Sequence, residues 1–541
     1  MTGGQALVGA LHQNGVDTIF GLPGVQLDWL FNALHDQRNA IRVLHTRHEQ
    51  AAAYMAFGYA QATGKVGTYA VVPGPGVLNT TAALATAYAA NSPVLCVTGQ
   101  IHSPFIGRGV GQLHEIPDQL GVLERLTKWA ARANHPTEIP GVVREAFRQL
   151  GSGRTRPVAI EVPPDVLQLQ TDVDAGEAGQ ADPAPEPDPD AIKAAAKLLG
   201  AAQRPLIFVG SGAFGASAEL LALAEMLQAP VVSTRNGLGA MDDRLPYAQK
   251  HQAGHDLWAT ADVVLGVGTR LSPMVPSWGL DSDLKIIRLD IDPTEVGRNG
   301  RPDVAIVTTA KKGLTALVDA IGKTNRKRDS READLRALQK KTLAFYDDKL
   351  GPQMAYCRAL RSALPENGIL VEELTQIGYA ARVGFPTYTP RSYISSGYQG
   401  TLGFGFATAL GAKVGCPDRP VLSISGDGGF MFNVQELSTA VQSGINVVAV
   451  VFNDGAFGNV QRMQKQDYDN RVIATELRNP DFVKLAESFG ANAARTESPG
   501  ELEAAIKRAF AEPGPWLIDA RIGTVPDPWP ILTPGRARGR R

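Results

Sequence analysis

One stretch of this chain, residues 421–460, limits the possible folds more than any other: VLSISGDGGFMFNVQELSTAVQSGINVVAVVFNDGAFGNV. The apolar, β-branched run from Pro420 to Ser425 reads as a buried strand that empties into Gly426-Asp427-Gly428-Gly429. An amphipathic helix is expected over Asn433–Gln442, and a second strand, Asn446–Phe452, runs into Asn453-Asp454-Gly455. This is a βαβ unit. In open parallel sheets ligands bind outside the carboxyl ends of the strands, so Asp427 and Asp454 are expected to face one crevice. Glycines there let backbone N–H groups approach phosphate oxygens, and neighbouring oxygen ligands suit Mg2+ shared with a diphosphate. Taken alone, GDGG is equally well an ordinary strand-to-helix turn. The carboxylate after the second strand favours the site.

At 541 residues, with 44% hydrophobic and 20% charged residues, the chain has the composition of a globular protein of two to four domains. Lys plus Arg (53) nearly balances Asp plus Glu (54), which argues against nucleic acid and anionic membranes as partners. Cys96, Cys357 and Cys416 have neither metal-ligand spacing nor an even disulfide framework, which points to a reducing cytoplasm. The N-terminus reads as an amphipathic helix without a signal sequence, and no apolar run reaches membrane-spanning length. The basic tail Arg536–Arg541 is expected to be a frayed terminus. Residues 171–190, rich in Pro, Ala and acid, read as a linker, and residues 323–349 as a charged connecting helix. Three α/β domains with parallel sheets result, at 1–170, 191–322 and 350–541.

In the first domain a strand over Gly15–Phe20 leads to Gly21-Leu22-Pro23-Gly24, and Ile41–His45 precedes a helix read over the small-residue run AAAYMAFGYAQATG. Glu49 stands in the first turn of that helix, where a macrodipole or capping role is the ordinary explanation. The middle domain carries Gly210-Ser211-Gly212-Ala213-Phe214-Gly215 after strand Pro205–Val209, a GxGxxG match. The next strand, Pro230–Ser233, ends in Thr234-Arg235-Asn236 without the acid that a dinucleotide ribose requires, which argues against NAD. In the third domain a helix over Met354–Leu364 and a strand over Gly368–Val371 precede the glycine-rich run Ser395–Phe406 and a helix over Ala407–Lys413.

HEQAAAYMAFGYAQATGK, Gly74-Pro75-Gly76 with Asn79, Asn91-Ser92-Pro93 before strand Val94–Thr98, and GDG paired with Asn453-Asp454 together resemble the thiamine-diphosphate (ThDP) enzymes of the acetolactate synthase-like group. Pro73 departs from the Ser common before GPG, and Asp454 replaces the usual amide. The resemblance spans nearly the whole chain and implies three doubly wound domains: ThDP pyrimidine-binding, central Rossmann-like and ThDP diphosphate-binding. It implies that Glu49 hydrogen-bonds the aminopyrimidine from an apolar pocket, and that Asp427, Asp454 and the Ala456 carbonyl hold Mg2+. Gly400 would touch the pyrimidine through its backbone, with Leu402 as the wedge that bends the cofactor. Gly74, Asn79, Thr375, Gln376, Gly426, Gly428, Gly429 and Phe457 complete the implied cofactor contacts, while Glu436 reads as structural.

The family's FAD-associated GMHG stretch is absent, the region reading His251-Gln252-Ala253-Gly254-His255, so the central domain is expected to be an empty scaffold. Val25, Gln26, Gln112, Leu113 and Met463 are the implied substrate-pocket residues. His114 is either a proton shuttle or a packing residue. The implied activity is cleavage or formation of a C–C bond on a 2-oxo acid or related carbonyl compound. A lyase acting on a 1,2-dicarbonyl and a non-catalytic ThDP-binding regulator are the alternatives. In this family the site spans two subunits, which implies a homodimer or homotetramer.

Overall fold

The computed structural model describes residues 1–272, 274–323 and 325–539. Three six-stranded sheets form, and every strand pair within them is parallel. The first holds β1 (Thr18–Gly21), β2 (Arg42–His45), β3 (Gly67–Val71), β4 (Val94–Gly99), β5 (Trp129–Arg132) and β6 (Val158–Val162), in the order 2-1-3-4-6-5. The second holds β7 (Pro205–Val209), β8 (Val231–Ser233), β9 (Ala248–Gln249), β10 (Val263–Val267), β11 (Lys285–Asp290) and β12 (Val304–Val307), in the order 12-11-10-7-8-9. Read from its other edge, that is the Rossmann sequence of strands. The third holds β13 (Ile369–Glu372), β14 (Tyr393–Ser395), β15 (Val421–Gly426), β16 (Val448–Asn453), β17 (Asn492–Thr496) and β18 (Trp516–Arg521), in the order 14-13-15-16-18-17. The outer two sheets therefore share one topology. In each, the strand order reverses between the first and third strands, where open sheets keep their ligands.

Most of these strands are buried on both faces, which is why they read as unbroken apolar runs instead of alternating ones. The outer domains are joined through two helices, Glu49–Thr63 and Phe404–Gly415. The first begins with the His48 side chain accepting from the Gln50 N–H and ends at Gly64 in the left-handed conformation. From Ala51 to Ala60 every residue is buried, so the helix is covered all round. A Cβ on Gly58 would stand 1.9 Å from the Thr408 carbonyl oxygen, and one on Gly411 would stand 1.9 Å from that of Met55. The two backbones touch, and only glycine permits it.

The charged connecting helix and the helix expected over Met354–Leu364 both form: helical structure runs Glu332–Ala363 and is broken by a kink at Leu350, whose torsions are not helical, beside Pro352. A proline in the first turn after a kink loses little, because its missing N–H falls where no partner is needed. The basic tail is not frayed over its described part. The Ala537 and Arg538 N–H groups donate to the Trp278 carbonyl, and Arg538 pairs with Asp281 at 2.9 Å. Arg540 and Arg541 lie outside the described residues.

The same tail covers the helix His251–Trp258, where the Gly535 carbonyl lies 2.9 Å from His255 Nε2. His251 sits beneath it against the Trp278 ring, with Nε2 buried and unpartnered. Burial, helped by the neighbouring His255, pushes His251 down to about 4. The unfolded chain binds this proton at its ordinary pKa and the native chain does not, so native stability falls as pH drops from about 6.5 towards 4. We expect His251→Phe to remove this part of the acid sensitivity, worth up to about 3 kcal/mol. Denaturant midpoints at pH 7 and pH 4.5 for the two proteins measure it.

Candidate functional site

The carboxyl edge of the third sheet gathers residues from four segments. β13 delivers Thr375 and Gln376, β15 delivers Gly426-Asp427-Gly428-Gly429, and β16 delivers Asp454. The glycine loop supplies Gly400 and Leu402, and a Cβ on Gly429 would stand 3.7 Å from Leu402 Cδ2. Asp427 is almost fully buried and accepts from the Gly428 N–H (3.0 Å), the Gly455 N–H (2.9 Å) and Asn479 Nδ2 (2.6 Å). Burial raises its pKa against those hydrogen bonds. Asp454 is pushed up to about 6, by burial first and by the charge of Asp427 second. Two carboxylates that repel each other at one sheet edge could serve as oxygen ligands to a divalent cation. Gln376 Oε1 is buried without a partner. A Cβ on Gly458 would meet both Gln376 Nε2 and Asp454 Oδ2, so these polar groups converge on one point.

The neighbours of this edge shape it. The Ala456 N–H donates to Asp454 Oδ1 at 3.3 Å, and Phe457 lays its ring where a Cβ on Gly428 would be, 2.4 Å away. Met463, on the helix Gly458–Asp467, is 44% exposed. That helix is pinned by the C-terminal segment, with Trp529 Nε1 donating to Asn459 and Arg462 paired with Asp527 at 3.2 Å.

A second group forms at the edge of the first sheet. Asn79 Nδ2 donates to Glu49 Oε2 at 2.9 Å. Glu49 is half-buried. The two preceding N–H groups, of Arg47 and His48, donate to the fully buried Glu436 of the third domain at 3.1 Å. Glu436 therefore fixes the entry to the Glu49 helix. Gly74 has φ +61 and donates its N–H to Gln119 Oε1, while the His114 carbonyl lies where its Cβ would be. Gln26 clamps the same loop: Nε2 donates to the Leu113 carbonyl and Oε1 meets His114 Nδ1, both at 2.9 Å. Glu115 folds the turn before it by accepting from Gly109, Gly111 and Gln112. Val25 (63%) and Leu113 (60%) are exposed. The structure thus joins Gln26, Leu113, His114 and Gly74, and leaves Val25 and Met463 on open surfaces of different domains.

Asn479, Gln119 and Glu373 escaped the sequence reading. Asn479 and Gln119 contact the site from segments distant in sequence, and Glu373, just before Thr375, reaches a loop 30 positions on, with no motif to mark any of them. Glu373 is wholly buried, and its carboxylate reaches both the glycine loop and β15.

The middle sheet has a crevice of its own. A cavity of about 750 Å3 lies at its carboxyl edge, lined by Gly210, Thr234, Gly268, Asp290 and Thr309 with residues of both outer domains. Arg154 crosses it to Glu295 at 2.9 Å. The first two GxGxxG glycines are explained by backbone contact, since a Cβ on Gly210 would stand 2.2 Å from the Gly268 carbonyl oxygen and one on Gly212 would stand 2.7 Å from Gly268 Cα, whereas Gly215 has nothing within 4 Å.

Three family profiles match in succession: thiamine pyrophosphate enzyme N-terminal TPP binding domain over residues 1–122, central domain over 192–317, and C-terminal TPP binding domain over 375–520. A probable acetolactate synthase large subunit of Methanocaldococcus jannaschii is 37% identical over 562 residues, covering 99% of this chain and 94% of that protein. One from Methanococcus aeolicus is 36% identical over 556 residues, covering 96% and 92%. A probable 2-ketoarginine decarboxylase of Pseudomonas aeruginosa is 34% identical over 529 residues, covering 96% and 94%. The chain belongs to the thiamine-diphosphate-dependent enzymes, in their acetolactate synthase-like group.

Proposed function

We propose that this protein is a ThDP- and Mg2+-dependent enzyme that cleaves or forms a C–C bond on a 2-oxo acid, as a decarboxylase or carboligase. The observation that carries the reading is the convergence of Gln376, Asp427 and Asp454 at the carboxyl edge of the third sheet, with Leu402 beside Gly429 of the same turn. The names of the relatives, acetolactate synthase and 2-ketoarginine decarboxylase, support a 2-oxo acid as substrate.

When bound, ThDP supplies the electron sink for the carbanion that C–C cleavage leaves behind. Asp427 and Asp454, with the Ala456 carbonyl, would hold Mg2+, while Gln376 and the N–H groups of Gly428 and Gly429 would meet the diphosphate. Gly400 and Leu402 would orient the two rings. Glu49, held by Asn79, would share a proton with a ring nitrogen of the pyrimidine. Gly74 and Phe457 would line the cofactor, and Gln26 with His114 would border the substrate. Glu49 is half open and the acidic pair lies in a different domain, which supports a homodimer or homotetramer whose second copy covers each site.

The test is to load the protein with ThDP and Mg2+ and offer pyruvate and longer 2-oxo acids, following CO2 and hydroxyketone. ThDP-dependent consumption is expected. Exchange at the thiazolium carbon no faster than in free ThDP, with no 2-oxo acid or dicarbonyl consumed, would leave the non-catalytic regulator standing. For the metal, Asp454→Ala is expected to raise the Mg2+ needed for half-maximal ThDP binding by about tenfold or more, while Asp454→Asn keeps an oxygen ligand and loses less. Quenching of protein fluorescence against Mg2+ measures this. Equal curves for Asp454→Ala and wild type would remove Asp454 from the metal site.

A further inference from the structure

We propose that Glu373 is a positioning residue that sets where the Leu402 wedge stands, an inference that rests on the ThDP reading of this edge. Its carboxylate is fully buried and takes three hydrogen bonds: Oε1 from the Gly403 N–H at 2.7 Å, Oε2 from the Gly405 N–H at 2.9 Å and from Ser425 Oγ at 3.0 Å. Two donors belong to the glycine loop and the third to β15, one residue before the GDGG turn. A Cβ on Gly429 would stand 2.1 Å from Glu373 Oε1 and 3.7 Å from Leu402 Cδ2, so the carboxylate, the turn and the wedge are packed on one another.

The loop needs such an anchor. Between Gly400 (φ +60) and Gly403 (φ +80) the chain belongs to no helix or strand, and Leu402 is carried between two left-handed glycines. Unheld, those torsions would let the side chain swing. Gly403 and Gly405 open the helix Phe404–Gly415, whose first N–H groups have no partner within the helix. A carboxylate there meets the positive end of the helix as well as the free donors. Only a carboxylate suits the position. Three donors converge on two oxygens, and an amide would turn its own NH2 group against an N–H.

The test uses the full chain. In cofactor-free protein, Glu373→Gln is expected to speed deuterium uptake of the Gly403 and Gly405 amides at least tenfold, read by mass spectrometry of the peptide containing them. The same variant is expected to weaken ThDP about tenfold in the wild-type background. In a Leu402→Ala background it should weaken ThDP less than threefold further, because the residue it acts through is gone. Ser425→Ala, which removes one donor and creates no clash, is expected to shift uptake and affinity in the same direction by a smaller factor. It keeps the test open should Glu373→Gln fail to fold. Unchanged uptake at both glycines, or the same loss of affinity in both backgrounds, overturns the proposal. Failure of the wild type to bind ThDP would sink the function proposed above, while amide uptake would still decide whether Glu373 holds the loop.

Discussion

Glu49→Gln is expected to lower exchange at the thiazolium carbon of bound ThDP by about 10^2- to 10^4-fold, the range that general acid–base groups contribute. The substitution keeps the length of the side chain and leaves an oxygen to accept from Asn79 Nδ2, now at 2.9 Å from Glu49 Oε2. It removes the proton that a carboxyl group shares with a basic ring nitrogen. Glu49 is half-buried, and its helix is held by Ala51–Ala60 and by Glu436, so the fold should tolerate the change to within about 0.5 kcal/mol. ThDP affinity should change far less than the exchange rate. That contrast separates a proton role from a binding role: a parallel fall in affinity and rate would make Glu49 a cofactor anchor only. Exchange at the wild-type rate would remove it from the chemistry altogether.

The second large effect concerns stability. Gly411→Ala is expected to cost at least about 3 kcal/mol, beyond ordinary overpacking, because the new methyl group meets a backbone oxygen instead of a movable side chain. Helix propensity works the other way, favouring alanine over glycine by about 1 kcal/mol, so the sign of the outcome reports the contact. Gly141 provides the control. It lies in the helix Ile139–Gly151 with nothing within 4 Å of its Cβ position, and Gly141→Ala should be neutral or stabilising. Denaturant midpoints and soluble yield measure both. Equal midpoints for the two variants would mean that the Glu49–Thr63 and Phe404–Gly415 helices separate more easily than their contact indicates.

What the sequence revealed of the site follows from how local each part is. The GDGG turn and Asp454 belong to one βαβ unit, so strand periodicity alone places both carboxylates at one edge. Glu49 was legible only through the family resemblance of HEQAAAYMAFGYAQATGK, because a glutamate in a first turn reads by itself as a cap or macrodipole partner. Glu373, Gln119 and Asn479 act across gaps of 30, 45 and 52 positions, and nothing beside them announces their partners. The substrate-side residues were legible only in part. Gln26 and His114 meet because a loop folds back through Glu115, whereas Val25 and Met463 belong to different domains.

The fusion of the outer domains through their helices also bears on how the protein is made. The apolar helix Glu49–Thr63 leaves the ribosome early, but the helix that covers it ends at Gly415. With ~350 residues between them and synthesis at about 5–20 residues per second, the first domain waits for roughly 20–70 s with that face uncovered. During this interval it is a candidate for chaperone binding and for aggregation. The first domain expressed alone would keep that exposed face permanently, and its solubility should depend on adding the third domain in trans.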